Sequence, residues 1–230
     1  MLVSETMLHQ TQVGRVAAVY DNFLAQFPTP KAMVDAGPAA VITAWGRLGY
    51  PRRARRLWEA AVTIDAHGWP ADLTALPGVG RYTAGAVSAE ADGADVPAVD
   101  VNVRRLLERV RGRRLTTTEA ERAMVEVTRP LRARDRLLAL MDVGALLCRP
   151  RDPRCSECPL RRRCATRGPF ADDRRSRQPP FAGSFRQQRG RVMARLREGS
   201  VRATDVDADA LASLVDDGLA VVEDGTASLP

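Results

Sequence analysis

All four cysteines of the chain lie in one stretch, CRPRDPRCSECPLRRRC, with the spacing Cys148-x6-Cys155-x2-Cys158-x5-Cys164. A loop this compact can fold around one centre and present four thiolates to it. No apolar run is long enough to act as a secretory signal or to cross a bilayer, so the chain reads as cytosolic. In that reducing compartment clustered thiols favour metal over disulfides. Four soft ligands suit zinc or an iron-sulfur cluster. Structural zinc sites usually pair two short knuckles, whereas only the middle pair here is close. The wide outer gaps favour a cuboidal cluster, with zinc as the alternative.

The rest of the 230 residues, 45% of the chain being hydrophobic, can bury one full core beside a small second domain. The formal net charge is +7, and every one of the 35 basic residues except Lys31 is arginine. A general preference for arginine over lysine accounts for the ratio but not for the net excess. That excess points to a polyanionic partner, and the guanidinium fork suits phosphate.

Apolar residues at spacings of three and four predict a mostly α-helical chain. The helical stretches are TQVGRVAAVYDNFLAQF with Thr11 as N-cap, AAVITAWGRL, RARRLWEAAVTIDAH, YTAGAVSAEA, NVRRLLERVRG, TEAERAMVEVTRPL and RDRLLALMDVGALLC. The expected division is a helical domain over 1–147, a metal loop over 148–167, a charged, Pro- and Gly-rich linker over 168–184, and a small module over 185–230. In that module two helices precede AVVEDGTASL, a hairpin turning at Asp224-Gly225. The pattern is winged-helix-like, and binding DNA or packing against the main domain are both open for it.

LPGVG, Leu76 to Gly80, sits between two helical stretches. Its glycines allow a tight hairpin whose backbone N–H groups point outward at the start of a helix, a geometry that binds phosphate. Alone it is also compatible with an ordinary helix-helix turn. With Asp100 in VPAVDVNVRR and the cysteine loop beyond it, the combination resembles the helix-hairpin-helix DNA glycosylases that carry a C-terminal 4Fe-4S loop. Within that group it is most similar to the MutY-like adenine glycosylases. SETMLHQTQV, AWGRLGYPRRARRL, LPGVGRYTAGAV, VDVNVRRLL, MDVGALLC and the cysteines carry the resemblance, over about residues 1 to 165.

The resemblance implies a base-excision-repair enzyme that acts as a monomer on double-stranded DNA containing mispaired adenine, nucleoid-associated in the cytoplasm and without a membrane partner. Bifunctional members of the group carry a Schiff-base lysine where this chain has Tyr82, so base removal without strand cleavage is implied. Breaking an N-glycosidic bond needs an acid for the departing base and an anion facing the cationic sugar. The implied pair is Glu5 and Asp100, held by Tyr82 and Asn102. Glu5 also fits a first-turn helix charge, and Asp100 fits an N-cap. Gln10 and Tyr50 match the residues that wedge into the duplex when the base is flipped out, and Thr11 and Leu48 match positions near the opposite 8-oxoguanine. Gly78, Val79 and Gly80 would grip the DNA backbone. Cys148, Cys155, Cys158 and Cys164 would hold a 4Fe-4S cluster, ordering a loop whose Arg161, Arg162 and Arg163 can meet phosphates.

Several features depart from the pattern. The leading helical segment usual in the family is not seen before Glu5, His9 stands where glutamine is usual, and Val101 where a small residue is usual. Residues 185 to 230 are too few for the Nudix-like domain that usually inspects 8-oxoguanine. Thymine or uracil mismatch excision, or a DNA-damage-binding protein with impaired catalysis, are the rival readings.

Overall fold

In the computed structural model residues 1–171 and 179–230 are described; the centre of the expected linker, 172–178, lies outside the described residues. The described chain falls into two units, Met1–Glu5 with 79–171, and Thr6–Gly78 with 179–230. Among the described residues no helix is long and apolar enough to cross a membrane.

The first unit is helical. It contains α5 (Arg81–Ala91), α6 (Val101–Arg111), α7 (Thr117–Thr128) and α8 (Ala133–Asp142), the last running into a π-helical turn at Val143–Leu147. The N-terminal helix α1 (Leu2–Leu8) begins here. The amphipathic α6 directs Val103, Leu106 and Leu107 inward against Ala123 and Met124 of α7 and Leu137 and Leu140 of α8. Each fully buried leucine contributes roughly 1.5–3 kcal/mol of transfer free energy. A capping box starts α7: the Thr116 hydroxyl accepts from the Glu119 N–H while the Glu119 carboxylate accepts from the Thr116 N–H. Hydrogen bonds from Arg113 and Thr116 pull Glu119 down to about 2.

The second unit holds α2 (Val13–Gln26), α3 (Pro30–Trp45) and α4 (Arg52–His67). Phe23 packs edge-on against both Phe27 and Trp45 over fully buried Val41 and Ile42. Thr11 is not the cap of α2, as the sequence suggests. Gln12 takes the N-cap position without a side-chain bond, and the Thr11 hydroxyl is directed to Leu48 instead. The helix expected from Ala39 is only the second half of α3, whose first half is capped by Thr29 and broken at Gly37, φ 80°, ahead of Pro38.

The same unit includes α9 (Phe185–Glu198), α10 (Ala208–Asp216) and a small antiparallel sheet of β1 (Val201–Arg202), β2 (Val221–Glu223) and β3 (Thr226–Ser228) in the order β1-β3-β2. Asp224 and Gly225, both at positive φ, make the tight turn between β2 and β3. The chain is thus mostly α, with a helix-helix-wing pattern at its C-terminal end. Strand β1 was not expected; two residues carry no periodicity, and they pair only because the hairpin edge is present.

Candidate active site

Glu5 sits in the first turn of α1, 7% exposed. Burial raises its pKa, the Tyr82 hydroxyl hydrogen bond opposes this in part, and the nearby charges of Glu90 and Asp100 raise it further. Tyr82, on the first turn of α5, is itself pushed up, first by burial and then by Glu5 and Asp100. Its ring lies against the unit's core, so it is both a packed aromatic and a partner of the acid.

Asp100 is the N-cap of α6. Its Oδ1 accepts from the Val103 N–H at 2.6 Å and its Oδ2 from Asn102 Nδ2 at 3.0 Å. These donors fix the carboxylate at the positive end of the α6 dipole. The site needs close backbone approach on two sides. A Cβ on Gly85 would meet the Pro97 carbonyl oxygen at 2.7 Å, and one on Gly144 would meet the Asn102 backbone at 3.0–3.1 Å.

Two arginines that the motif reading did not single out join this carboxylate to the cysteine loop. Arg105 donates to Asn102 Oδ1 at 3.0 Å, to the Gly144 carbonyl at 2.7 Å and to the Cys148 carbonyl at 2.8 Å. One turn on, Arg109 is 1% exposed and donates to the Arg149 and Pro150 carbonyls and, at 3.6 Å, to Cys148 Sγ. Their spacing of four on a helix facing the cysteines was the available signal.

No disulfide joins any of the four cysteines, and all of them line one apolar cavity with Leu106, Val110 and Leu160. Among the described residues no three ligating groups converge as a single ion would require. The thiols still sense one another: burial raises Cys158, and charge on Cys148, Cys164 and Cys155 raises it further, against a backbone hydrogen bond from Leu160. The Arg167 N–H points at Cys164 Sγ, 3.4 Å away. All three arginines of the triplet are exposed, and Arg163 also donates to the Val127 carbonyl at 3.0 Å.

The hairpin has Gly78 at φ 78° and Gly80 as the N-cap of α5. A Cβ at Gly78 would stand 2.7 Å from Arg56 Cβ. The Val79 side chain is buried, and among the described residues the N–H groups of Gly78, Val79 and Gly80 have no backbone acceptor in the protein. Donors in this state are free to meet an anion.

The other candidates share the second unit. Gln10 and Tyr50 are both non-glycine residues at positive φ, 54° and 49°, and Tyr50 is half exposed. Thr11 Oγ1 donates to the Leu48 carbonyl at 3.4 Å, and the Leu48 side chain is buried. Lys31, the sole lysine, is a surface residue paired with Asp35 at 2.8 Å.

The model for the HhH-GPD superfamily of base excision DNA repair proteins matches residues 3–130. The adenine DNA glycosylase of Mycolicibacterium smegmatis is 40% identical over 95% of this chain and 83% of its own length. The human protein of that name is 38% identical over 72% of this chain and 33% of its own. Among solved structures, a thermostable thymine-DNA glycosylase is similar at TM-score 0.64 and 27% identity, over 72% of this chain and 82% of that one. A trapped endonuclease III–DNA covalent intermediate shares the fold at TM-score 0.63 and 23% identity, with the same coverage. With a family model spanning more than half of the sequence and relatives matching it nearly end to end, this chain belongs to the HhH-GPD superfamily of base excision DNA repair proteins.

Proposed function

We propose that this base-excision-repair adenine DNA glycosylase binds double-stranded DNA as a monomer and hydrolyses the N-glycosidic bond of adenine mispaired with 8-oxoguanine or guanine, leaving the strand intact. The observation that carries the reading is a buried carboxyl, Glu5, whose burial favours the protonated form, hydrogen-bonded to Tyr82 and within electrostatic reach of Asp100. The 40% identity to adenine glycosylases, against 27% to the thymine enzyme, supports adenine over thymine.

In this reading Glu5 gives its proton to N7 of the flipped adenine, and the C1′–N9 bond breaks with its electron pair leaving on the base. Asp100 faces the cationic sugar until water adds to C1′ and loses a proton. Tyr82 and Asn102 hold the two carboxyl groups. Tyrosine at 82 provides no amine for a Schiff base, so the strand survives. Gln10 and Tyr50 fill the gap in the stack, and Thr11, with Leu48 behind it, lies near the opposite base. The free N–H groups of Gly78, Val79 and Gly80 take a phosphate.

Cys148, Cys155, Cys158 and Cys164 would hold a 4Fe-4S cluster. Thiols spread around an apolar cavity and approached by N–H donors fit a cluster of several atoms. When bound, it cross-links the loop. In domain terms 1–147 carry the chemistry, 148–167 the cluster, and 168–184 the connection to an accessory module at 185–230.

Duplexes bearing A opposite 8-oxoguanine, A opposite G, and T or U opposite G, cleaved with alkali after incubation, test the substrate. Strand breaks at adenine after alkali, and none before it, are expected; release of thymine or uracil alone would overturn the assignment. Protein purified without oxygen should absorb broadly near ~400 nm and carry about four irons. Stoichiometric zinc without iron would refute the cluster.

A further inference from the structure

The second unit contains a side chain that neither the motifs nor the proposed chemistry uses. Arg53, on the first turn of α4, is half-buried and makes more polar contacts than its neighbours in the RRARR run. Its Nη1 donates to the Thr6 carbonyl at 2.9 Å, the Met7 carbonyl at 3.2 Å and the His9 carbonyl. Its Nη2 donates to Thr11 Oγ1 at 3.0 Å and the Gly49 carbonyl at 3.2 Å. The guanidinium carbon lies 5.3 Å from the Trp45 ring centroid and 5.2 Å from that of Tyr50. One planar cation therefore gathers the carbonyls at the end of α1, the hydroxyl after the turn at Gln10, and the turn at Gly49-Tyr50.

Both turns need holding. Gln10 and Tyr50 occupy left-handed backbone that costs a side-chain-bearing residue on the order of 1–2 kcal/mol each, and Gly49 beside Tyr50 is at φ 83°. Such conformations persist only where surroundings over-determine them. Neither turn lies inside a helix, and no hydrogen bond joins Gln10 directly to Tyr50 among the described residues. Trp45 assists on one side only, its Nε1 donating to the Gly49 carbonyl at 3.0 Å. Lysine could not do the same work: a point ammonium with three donors cannot reach carbonyls on two turns while stacking between two rings.

We propose that Arg53 is a positioning residue that locks the Gln10 and Tyr50 turns into one rigid wedge, so that the cost of their backbone conformations is met before the duplex arrives. This rests on the reading of Gln10 and Tyr50 as the groups that enter the base stack. Arg53 touches neither base nor sugar; it acts through the two turns. Preorganisation of this kind lowers the cost of base extrusion and leaves the glycosidic chemistry and the phosphate contacts unchanged.

The test uses the full chain with Arg53→Lys and Arg53→Met, and a duplex carrying 2-aminopurine beside adenine opposite 8-oxoguanine. Both variants should lose most of the fluorescence rise that reports unstacking, and single-turnover excision should fall by about 10- to 100-fold. Affinity for an undamaged duplex and its salt dependence should change by less than about threefold, since the phosphate contacts lie elsewhere. Extra mismatches flanking the adenine, which make unstacking easier, should recover most of the lost rate in the variants. Amide exchange of free protein gives a second reading: residues 9–11 and 48–50 should exchange faster in Arg53→Lys while α6 and α7 do not. Folded variants with unchanged fluorescence and unchanged exchange in the two turns would overturn the proposal. A general rise in exchange through α2 to α4, with rates not restored by flanking mismatches, would also overturn it by making Arg53 merely structural. Gln10→Ala and Tyr50→Ala separate the two levels: if they too leave the fluorescence intact, the wedge reading itself fails; if they abolish it and the Arg53 variants do not, only the role of Arg53 fails.

Discussion

The carboxylate region of the first unit and the paired turns of the second solve different problems by opposite means. Around Glu5 and Asp100 the backbone is regular. Asp100 caps α6, Glu5 and Tyr82 stand on first helical turns, and what is unusual is electrostatic: an acid in a site that disfavours its ionisation. Around Gln10 and Tyr50 the unusual feature is the backbone, two left-handed non-glycine residues tied to one arginine. Charge is stored in the first region and shape in the second. Changes of charge at constant shape should therefore disable the first, and changes of shape at constant charge should disable the second.

The largest effect should come from Glu5→Gln, which keeps size and removes the acid. Adenine release in single-turnover assays should fall by about 10²- to 10⁴-fold, with duplex affinity retained. The pH dependence has a definite sign. The pKa of Glu5 is raised in the folded protein, so the folded state holds the proton more tightly than the unfolded one, and stability attributable to this group falls as pH rises from its unfolded pKa through the folded value. Thermal melts should show Glu5→Gln gaining on the parent protein above that range and not below it, and excision by the parent should decline over the same rise. A pH-independent difference in melting would remove the electrostatic half of the comparison.

Asp100→Asn should slow excision by about 10²- to 10³-fold while barely changing stability, because asparagine caps a helix as well as aspartate does. Asp100→Ala should add a stability loss of about 1 kcal/mol by urea unfolding. Equal stability of the two variants would mean that the cap contributes nothing.

Gly144→Ala should cost about 1–3 kcal/mol, since the new methyl meets the Asn102 backbone at 3.0–3.1 Å. The same push on Asn102 should reduce excision, linking packing to chemistry in the first unit. The smallest stability effect is expected for Tyr50→Gly, where loss of ring packing is offset by relief of a left-handed φ. Melting should move little while the 2-aminopurine signal disappears, separating shape from stability in the second unit.

Much of this was legible in the residues. The four cysteines announce a thiol-lined centre by spacing alone, and α4 and α6 follow from apolar periodicity to within a residue of their observed starts. Asp100 was readable as a cap because an aspartate precedes an amphipathic run, and Asp224-Gly225 as a turn because both residues tolerate positive φ. The first half of α3 was missed although Thr29-Pro30 is a cap followed by an N1 proline; the break at Gly37-Pro38 hid it. Thr11 looked like a cap because threonine before an apolar run usually is one, but its hydroxyl is engaged by Leu48 and Arg53, which lie next to it only in the folded chain.

By itself, then, the sequence determined what local chemistry can express: helix-forming periodicity, the composition of the cysteine loop, and a surplus of arginine without direction. Only the tertiary structure decided which arginines are structural. Arg53 is indistinguishable in the text from its neighbours in the RRARR run, and the spacing of Arg105 and Arg109 does not say that they turn to carbonyls while Arg161 and Arg162 stay exposed. A guanidinium becomes an organiser when burial removes water as its competitor and carbonyls distant in sequence arrive as acceptors. The raised pKa of Glu5 has the same origin, since a carboxyl in the first turn of a short helix is ordinary until the fold closes over it.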